Sequence, residues 1–474
     1  MKTSTAASSN LSVPEFHFWQ QCLVGGIVVS ILVLGQLLVP IWIIVLCLIA
    51  VPIAIIILRN DLYTLIAYIG IIIAVKLRAK QDEVSFIDVI AGILFTGILF
   101  SQFFQKKIFQ NKQIVSHPLL YWVLGFAVWA FGIGLIHVVQ GDTGFLSLYR
   151  EFLTFSPLLF IPFLFNGLIE KDIKILLRFL LLLWLVEEVA SVLLIKQSVQ
   201  SVIFVYETGR ANFDVIRSSV SIFLFLIFAS VKSQRKYQKY YIIGILISIM
   251  GLGLTFNRTG YVLTLLLIPF LIITTPKSQR SSALKVLFIV VSIVLVIGGI
   301  AYFVFPTLHL IIRWSFAKFL TSSNVKADAS IYNRYVEWRY VWKQILANPI
   351  TGMGFAGQFK DYVWIVGYTI NSFYTHSGVL GILLKSGIVG LMLISTAYIG
   401  FFILGIKLVF PELLSDIEKS FARFGVFVII LITLHSLTLN PLMHREILWY
   451  LGLVWAFFIY FEKKLIVRSK KISP

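Results

Sequence analysis

Runs of apolar residues recur along almost the whole of this chain, and their length constrains its fold more than any other feature. They fall near 22–38, 41–58, 62–75, 86–104, 118–139, 147–166, 173–195, 213–231, 240–256, 260–274, 284–306, 375–406, 420–439 and 446–461. A helix of about 17–25 apolar residues crosses roughly 30 Å of hydrocarbon and satisfies every backbone polar group within itself. Strands of a membrane barrel would alternate in polarity, and these runs do not. The expected fold is all-α: a polytopic membrane protein of about 14 (12–14) transmembrane helices. Residues 1–474 are expected to form a single integral membrane domain, with residues 307–374 as one large external loop within it. Charged residues make up only 13% of the chain, against about 25% in soluble domains, which leaves little material for a soluble unit.

The formal net charge is +19, a balance that in a soluble protein would suggest nucleic acid. Here Lys and Arg cluster in short loops, as the positive-inside rule requires, and no nucleic-acid partner is expected. Lys106-Lys107 with Lys112, Lys171 with Lys174, the group from Lys232 to Lys239, the group from Lys277 to Lys285, and the tail from Lys463 to Lys471 all count to one side. That side is assigned to the cytoplasm, and the N-terminus with it. Lys76, Arg78 and Lys80 fall on the opposite side, against the rule. Cys22 and Cys47 have no metal-ligand spacing and read as small apolar residues. No cleaved signal peptide is read, so the first span serves as the insertion signal.

The same count places outside the membrane Gly141-Asp142, Gln197 to Asn212, Asn257-Arg258, the polar stretch His309 to Ser372, and Asn440 to Arg445. Arginine on that face opposes the topological bias. Arg210, Arg217, Arg258, Arg313, Arg334, Arg339 and Arg445 therefore point to an anionic ligand, with lipid head groups as the plainer account of any single one.

Within the external stretch, Ile331, Tyr335, Trp338, Trp342 and Ile345 recur at steps of four and three, which predicts an amphipathic helix. Ser330 or Asp328 would cap its start, and Asn348-Pro349 would end it. Asn333, Glu337, Arg339, Lys343 and Gln344 occupy its other sides. Such a helix would lie in the membrane interface or pack as a lid over the spans. Gly352 to Gly357 reads GxGxxG, but no strand precedes it and no βαβ unit surrounds it, so a dinucleotide site is rejected. From Thr375 to Ile406 the chain is apolar except at Lys385. As one straight helix it would run about 48 Å, so a break is expected at Gly387–Gly390, with His376 at the mouth of the first piece. A lone histidine at a helix start is more often a cap than a catalyst.

The order Asn257-Arg258-Thr259-Gly260, Arg334, Trp338, Pro349 to Gly354, His376 and Gly387-Ile388-Val389-Gly390 resembles the O-antigen ligase and polysaccharide polymerase superfamily. The resemblance covers roughly residues 255–395. It implies a membrane glycosyltransferase of the GT-C type in the bacterial inner (cytoplasmic) membrane, with its active site facing the periplasm. The donor would be a glycan on undecaprenyl pyrophosphate and the acceptor a second glycan, transfer being inverting and free of metal ion or other cofactor. Carried over by motif, Arg258 and Arg334 would bind the pyrophosphate, and His376 would be the essential histidine near the acceptor hydroxyl. Membrane lipids, a chain-length regulator and a flippase are the further partners it implies.

The residue chemistry runs the same way. Departure of pyrophosphate builds negative charge that fixed guanidinium groups can stabilise, and histidine can take a proton near neutral pH. No DxD or acidic cluster on the outer face offers a magnesium site. The catalytic candidates are His376, Arg334 and Arg258; Arg217, Arg210 and Arg339 are candidates for substrate binding. Glu187-Glu188 inside a span, and His435, His444 and Arg445 at the last external turn, carry structural readings at least as strong. The family's ligases often carry Asn after the histidine, where this chain has Ser377, so the expectation is a polymerase of lipid-linked repeat units. An O-antigen ligase and a protein O-oligosaccharyltransferase share the same motifs. A lipid-linked glycan transporter is the non-enzyme alternative, although no internal repeat supports it.

Overall fold

The computed structural model describes residues 61–75, 92, 96–98, 102–103, 117–166, 168, 170–196, 215–255, 257–304, 309, 313, 329–363, 367–440 and 445–472. The spans expected at 22–38 and 41–58, and most of the one at 86–104, lie outside these residues. So do Arg210 and His444, and the side chains of Glu187, Glu188 and Arg445.

In chain order the helices are α1 (Asp61–Val75), α2 (Leu119–Val139), α3 (Phe145–Phe165), α4 (Glu170–Lys196), α5 (Val215–Ser230), α6 (Gln238–Leu254), α7 (Arg258–Thr274) and α8 (Lys277–Val304). After them come α9 (Ala329–Ala347), α10 (Gly378–Val409), α11 (Asp416–His435) and α12 (Arg445–Ile472). A 3-10 turn, Lys232–Tyr237, leads into α6. Five helical stretches among the described residues are long and apolar enough to cross a membrane: α2, α3, the turn with α6, α8 and α10. Shorter apolar helices lie at Asp61–Ile72, Val215–Ser230 and Arg258–Thr274. The described residues are thus almost wholly helical, and the apolar helices make this a membrane protein.

Among the described residues the chain departs from a purely α reading at one place. Strands β1 (Phe359–Val363) and β2 (Tyr368–Ser372) form an antiparallel hairpin, Phe359 opposite Ser372 and Val363 opposite Tyr368. Gly367, at φ +74°, supplies the left-handed turn residue just before β2.

The bundle packs through aromatic side chains. Trp184 of α4 stacks on Trp449 and Tyr450 of α12, and Phe401 of α10 stacks on Trp455 of α12 with centroids 4.5 Å apart. α12 lies along α3, α6 along α5 and α10 along α2. α8 turns much of its surface outward, including Phe288, Leu295 and Phe303, as a helix facing lipid would.

Two devices shape α10. Ser377 caps its start by accepting from the Leu380 amide. Nine residues after the first helical position, Gly387 leaves helical geometry at φ 61°, ψ −165°. The break falls within the expected Gly387–Gly390, and glycine is what the backbone needs there.

Candidate functional site

Helix α9 organises the site, and its rotation is one the apolar periodicity left open. Its buried face carries Glu337, Val341 and Ile345, and the last two pack on Phe359 of β1 and Leu384 of α10. Of the apolar stripe, Ile345 is buried, whereas Tyr335 and Trp342 are about half exposed. The helix ends before Asn348-Pro349 as expected, while Ser330 lies inside it rather than capping it.

Polar bonds set that rotation. Glu337 is 1% exposed. One of its carboxylate oxygens accepts from the His376 backbone amide at 2.7 Å, and the other meets His376 Nδ1 at 2.5 Å. A carboxylate only accepts, so Nδ1 carries the proton, and in the neutral ring Nε2 is then an acceptor. One turn earlier on α9, Arg334 Nη1 donates to the Thr438 carbonyl at 3.0 Å. Thr438 belongs to the turn after α11, which is held to α10 because the Gly378 amide donates to the Ser436 and Leu439 carbonyls. Arg334 and His376 are thereby gathered at one junction of α9, α10 and α11.

Asp361 joins them from β1. It is buried, and burial first, then the negative charge of Glu337, raise its pKa from 3.8 to about 6; His376 acts the other way. Tyr374 sets its ring edge-on to His376, centroids 5.3 Å apart.

Arg258 opens α7 behind Asn257, whose side chain accepts from the Gly260 amide at 3.0 Å. Gly260 abuts Val215 at the start of α5, and Ser219 of α5 bonds Thr264 of α7 at 2.8 Å. Arg217 is buried on α5, two residues after Val215, and nothing among the described residues places it against Arg258. α11 packs on both α5 and α7 and leads into the turn bonded by Arg334. Arg339 sits apart, exposed on α9 with its guanidinium over the Tyr335 ring.

A rigid strap lies behind the histidine. Gly352 and Gly354 have φ of +68° and +71° and approach the backbones of α10 and α2 too closely for any side chain. The Met353 amide donates to Leu384, Phe355 to Ala130, and Ile388 to Pro349. The glycines thus serve close backbone packing, which agrees with rejecting a dinucleotide loop. Lys385, 2% exposed, donates to Glu151 at 2.8 Å and to the Gly357 carbonyl at 2.7 Å.

Glu337, Asp361 and the Glu151–Lys385 pair escaped the reading of the sequence. Glu337 stands three residues after Arg334, on the same helix face, and Glu151 and Lys385 are charges inside apolar runs. Those were the available signals.

A helical membrane bundle that brings a carboxylate-held histidine and an arginine to one junction defines a membrane protein with a polar site suited to proton and anion chemistry. The family model described as O-antigen ligase matches residues 243–395. That segment holds Arg258, Arg334, Glu337, Asp361 and His376, and over it the chain is similar to the O-antigen ligase family, whose members are membrane glycosyltransferase-like enzymes. No curated protein matches the chain.

Proposed function

We propose that the protein is a GT-C-type polymerase that joins lipid-linked oligosaccharide repeat units by inverting glycosyl transfer at the outer face of the bacterial inner membrane. The donor is a glycan on undecaprenyl pyrophosphate. The acceptor hydroxyl forms a bond to the anomeric carbon as the carbon–oxygen bond to pyrophosphate breaks, and the leaving group departs with the electron pair. Arg334 and Arg258 face the charge that builds on pyrophosphate. The acceptor proton passes to Nε2 of His376, and Glu337 compensates the positive charge the ring then carries.

The observation that carries this reading is the His376–Glu337 bond with Arg334 one helical turn away. It supplies a fixed acceptor for a proton and a fixed guanidinium within one short stretch of α9. Ser377 after the histidine favours the polymerase over the ligase.

Purified protein in lipid, given synthetic undecaprenyl-pyrophosphate repeat unit, tests it. A ladder of longer lipid-linked glycans is expected, and His376→Ala, Arg334→Ala and Arg258→Ala should each abolish it while membrane insertion persists. Transfer only after a lipid-core or protein acceptor is added would make the protein a ligase or a protein transferase. Silence with every acceptor would favour a transporter.

A further inference from the structure

Where α3 gives way to α4, the chain leaves a cavity of about 470 Å³ against the C-terminal half of α12. That volume lies within the range of small-molecule sites. Its wall is graded along α12. Ala456 and Ile459 line the apolar part, with Pro162 and Phe165 of α3 opposite them. Tyr460 stands at the next level, its ring edge-on to Phe165. Lys463, Lys464 and Arg468 follow over the next two turns.

The cavity lies at the end of the bundle away from His376. Lys464 bonds Glu418 in the first turn of α11 at 2.5 Å, whereas Arg334 bonds the turn beyond the last residue of that helix. The 20 residues of α11 rise about 30 Å, the thickness of the hydrocarbon core. The graded wall therefore meets the membrane surface opposite the candidate site.

Charge on this wall is not balanced. Lys464 meets two carboxylates, Glu418 and Glu170, the second at 3.2 Å. Lys463 donates to a neutral partner, the Asn166 side chain, at 2.7 Å. Arg468 donates to the Leu413 carbonyl and stands 3.8 Å from a Glu418 oxygen that already accepts from the Ser415 amide. Glu462, beside Lys463 in the chain, bonds His117 at 2.9 Å. Three cations thus face two carboxylates, Glu170 and Glu418, and one positive charge is left over.

We propose that this cavity binds an anionic phospholipid, its phosphodiester held by Lys463 and Arg468 and an acyl chain laid against Phe165 and Ile459. The single negative charge of a phosphodiester matches the surplus, and ammonium and guanidinium groups both donate to phosphate oxygens. A soluble phosphate would meet the cations but leave the apolar wall against water. A lipid covers both, with Tyr460 at the level where amphipathic rings settle between hydrocarbon and head group. Basic pockets between spanning helices hold lipid head groups in this way. The bound lipid bridges α3, α12 and the start of α11, and its binding does not depend on glycosyl transfer at His376.

The full chain, purified in neutral detergent and stripped of its own lipids, is melted with phosphatidylglycerol, phosphatidylcholine or inorganic phosphate, and native mass spectrometry counts the lipids retained. Phosphatidylglycerol should raise the melting temperature by several degrees and stay bound as one molecule. Phosphatidylcholine and inorganic phosphate should do neither. Lys463→Gln and, separately, Arg468→Gln should weaken phosphatidylglycerol retention about fivefold, the size of one cation at an anionic membrane surface. Lys463 is exposed and glutamine can still donate to Asn166, so that variant keeps its fold. Lys463→Arg, which preserves the cation, should bind as the parent does. Lys277→Gln, at an exposed lysine opening α8, should change nothing. If Lys277→Gln costs as much retention as Lys463→Gln, the attraction is to a basic face at large and the site is overturned. Equal shifts from phosphatidylcholine, or no lipid retained by the unaltered protein, overturn it as well. An equal shift from inorganic phosphate, lost in Lys463→Gln, would make the occupant a soluble anion and sink the lipid.

Discussion

Lys385 donates a 2.8 Å hydrogen bond to Glu151, joining the start of the broken helix α10 to α3 inside the bundle. The second oxygen of Glu151 accepts from the Ala356 amide at 2.6 Å, and Lys385 also holds the Gly357 carbonyl. One buried ion pair thus ties the glycine strap, α3 and α10 together, a few residues behind His376.

Removing one partner of such a pair strands the other as a buried charge, which costs about 3–5 kcal/mol. Lys385→Met should therefore lower the melting temperature of the purified protein sharply. Lys385→Met with Glu151→Gln should recover part of that loss, because no uncompensated charge remains. A Lys385→Met protein that melts like the parent would refute this account of the strap.

Glu337 holds the His376 ring in one tautomer. Glu337→Gln presents an amide that can also donate to Nδ1, allowing the ring to turn its other nitrogen into the donor. Transfer should fall by about 10²–10⁴ in kcat, with the acceptor KM little changed and the protein still folded. The check is steady-state kinetics beside melting curves; loss of kcat together with lost folding would reduce Glu337 to a structural residue.

Asp361 predicts a pH dependence of definite sign. Its folded pKa is raised from 3.8 to about 6, so the fold favours the protonated form. That contribution is complete below pH 3.8 and fades as pH rises through about 6, when a second carboxylate charge develops beside Glu337. Asp361→Asn should melt higher than the parent at pH ~7.5 and show a flatter melting profile between about pH 4 and 6. Identical slopes in the two proteins would show that Asp361 is not the titrating group.

Gly387 and Gly354 both have positive φ, and a side chain on either would strike backbone: Ile350 at Gly387, Gly134 at Gly354. Gly387→Ala and Gly354→Ala should each cost about 1–3 kcal/mol from the backbone conformation alone, and more from the clash. Gly298→Ala, on α8 with open space where its side chain would sit, should be neutral or slightly stabilising. Thermal melting of the three variants in one detergent separates the cases.

Much of the architecture was legible in the chain. Apolar runs marked α2, α3, α6, α8 and α10 because a spanning segment must satisfy its own backbone. The glycine pair at 387 and 390 marked the break, since the uninterrupted stretch was too long for the membrane. Asn348-Pro349 marked the end of α9. The hairpin was missed although Phe359 to Val363 and Tyr368 to Ser372 are of strand length and flank a glycine; the polarity of the segment masked it.

The rotation of α9 was not legible. Apolar spacing left open whether the stripe lies in the interface or packs on the spans; Tyr335 and Trp342 are half exposed, and a buried position belongs to a glutamate. In a segment that borders lipid, apolar side chains lose little by facing outward, whereas a buried carboxylate is stable only where donors meet it. The His376 bonds to Glu337 therefore fix which side of α9 faces in.

What the sequence determined by itself is what each stretch settles locally: which segments span, where a helix must stop, and which runs carry arginine and histidine. Only the tertiary structure decided that Glu337 holds His376, that Glu151 meets Lys385, and that Asn440 rests over Gly381. These contacts depend on the rotation and depth at which separate helices settle against one another. Composition and spacing along a single segment do not encode those two quantities.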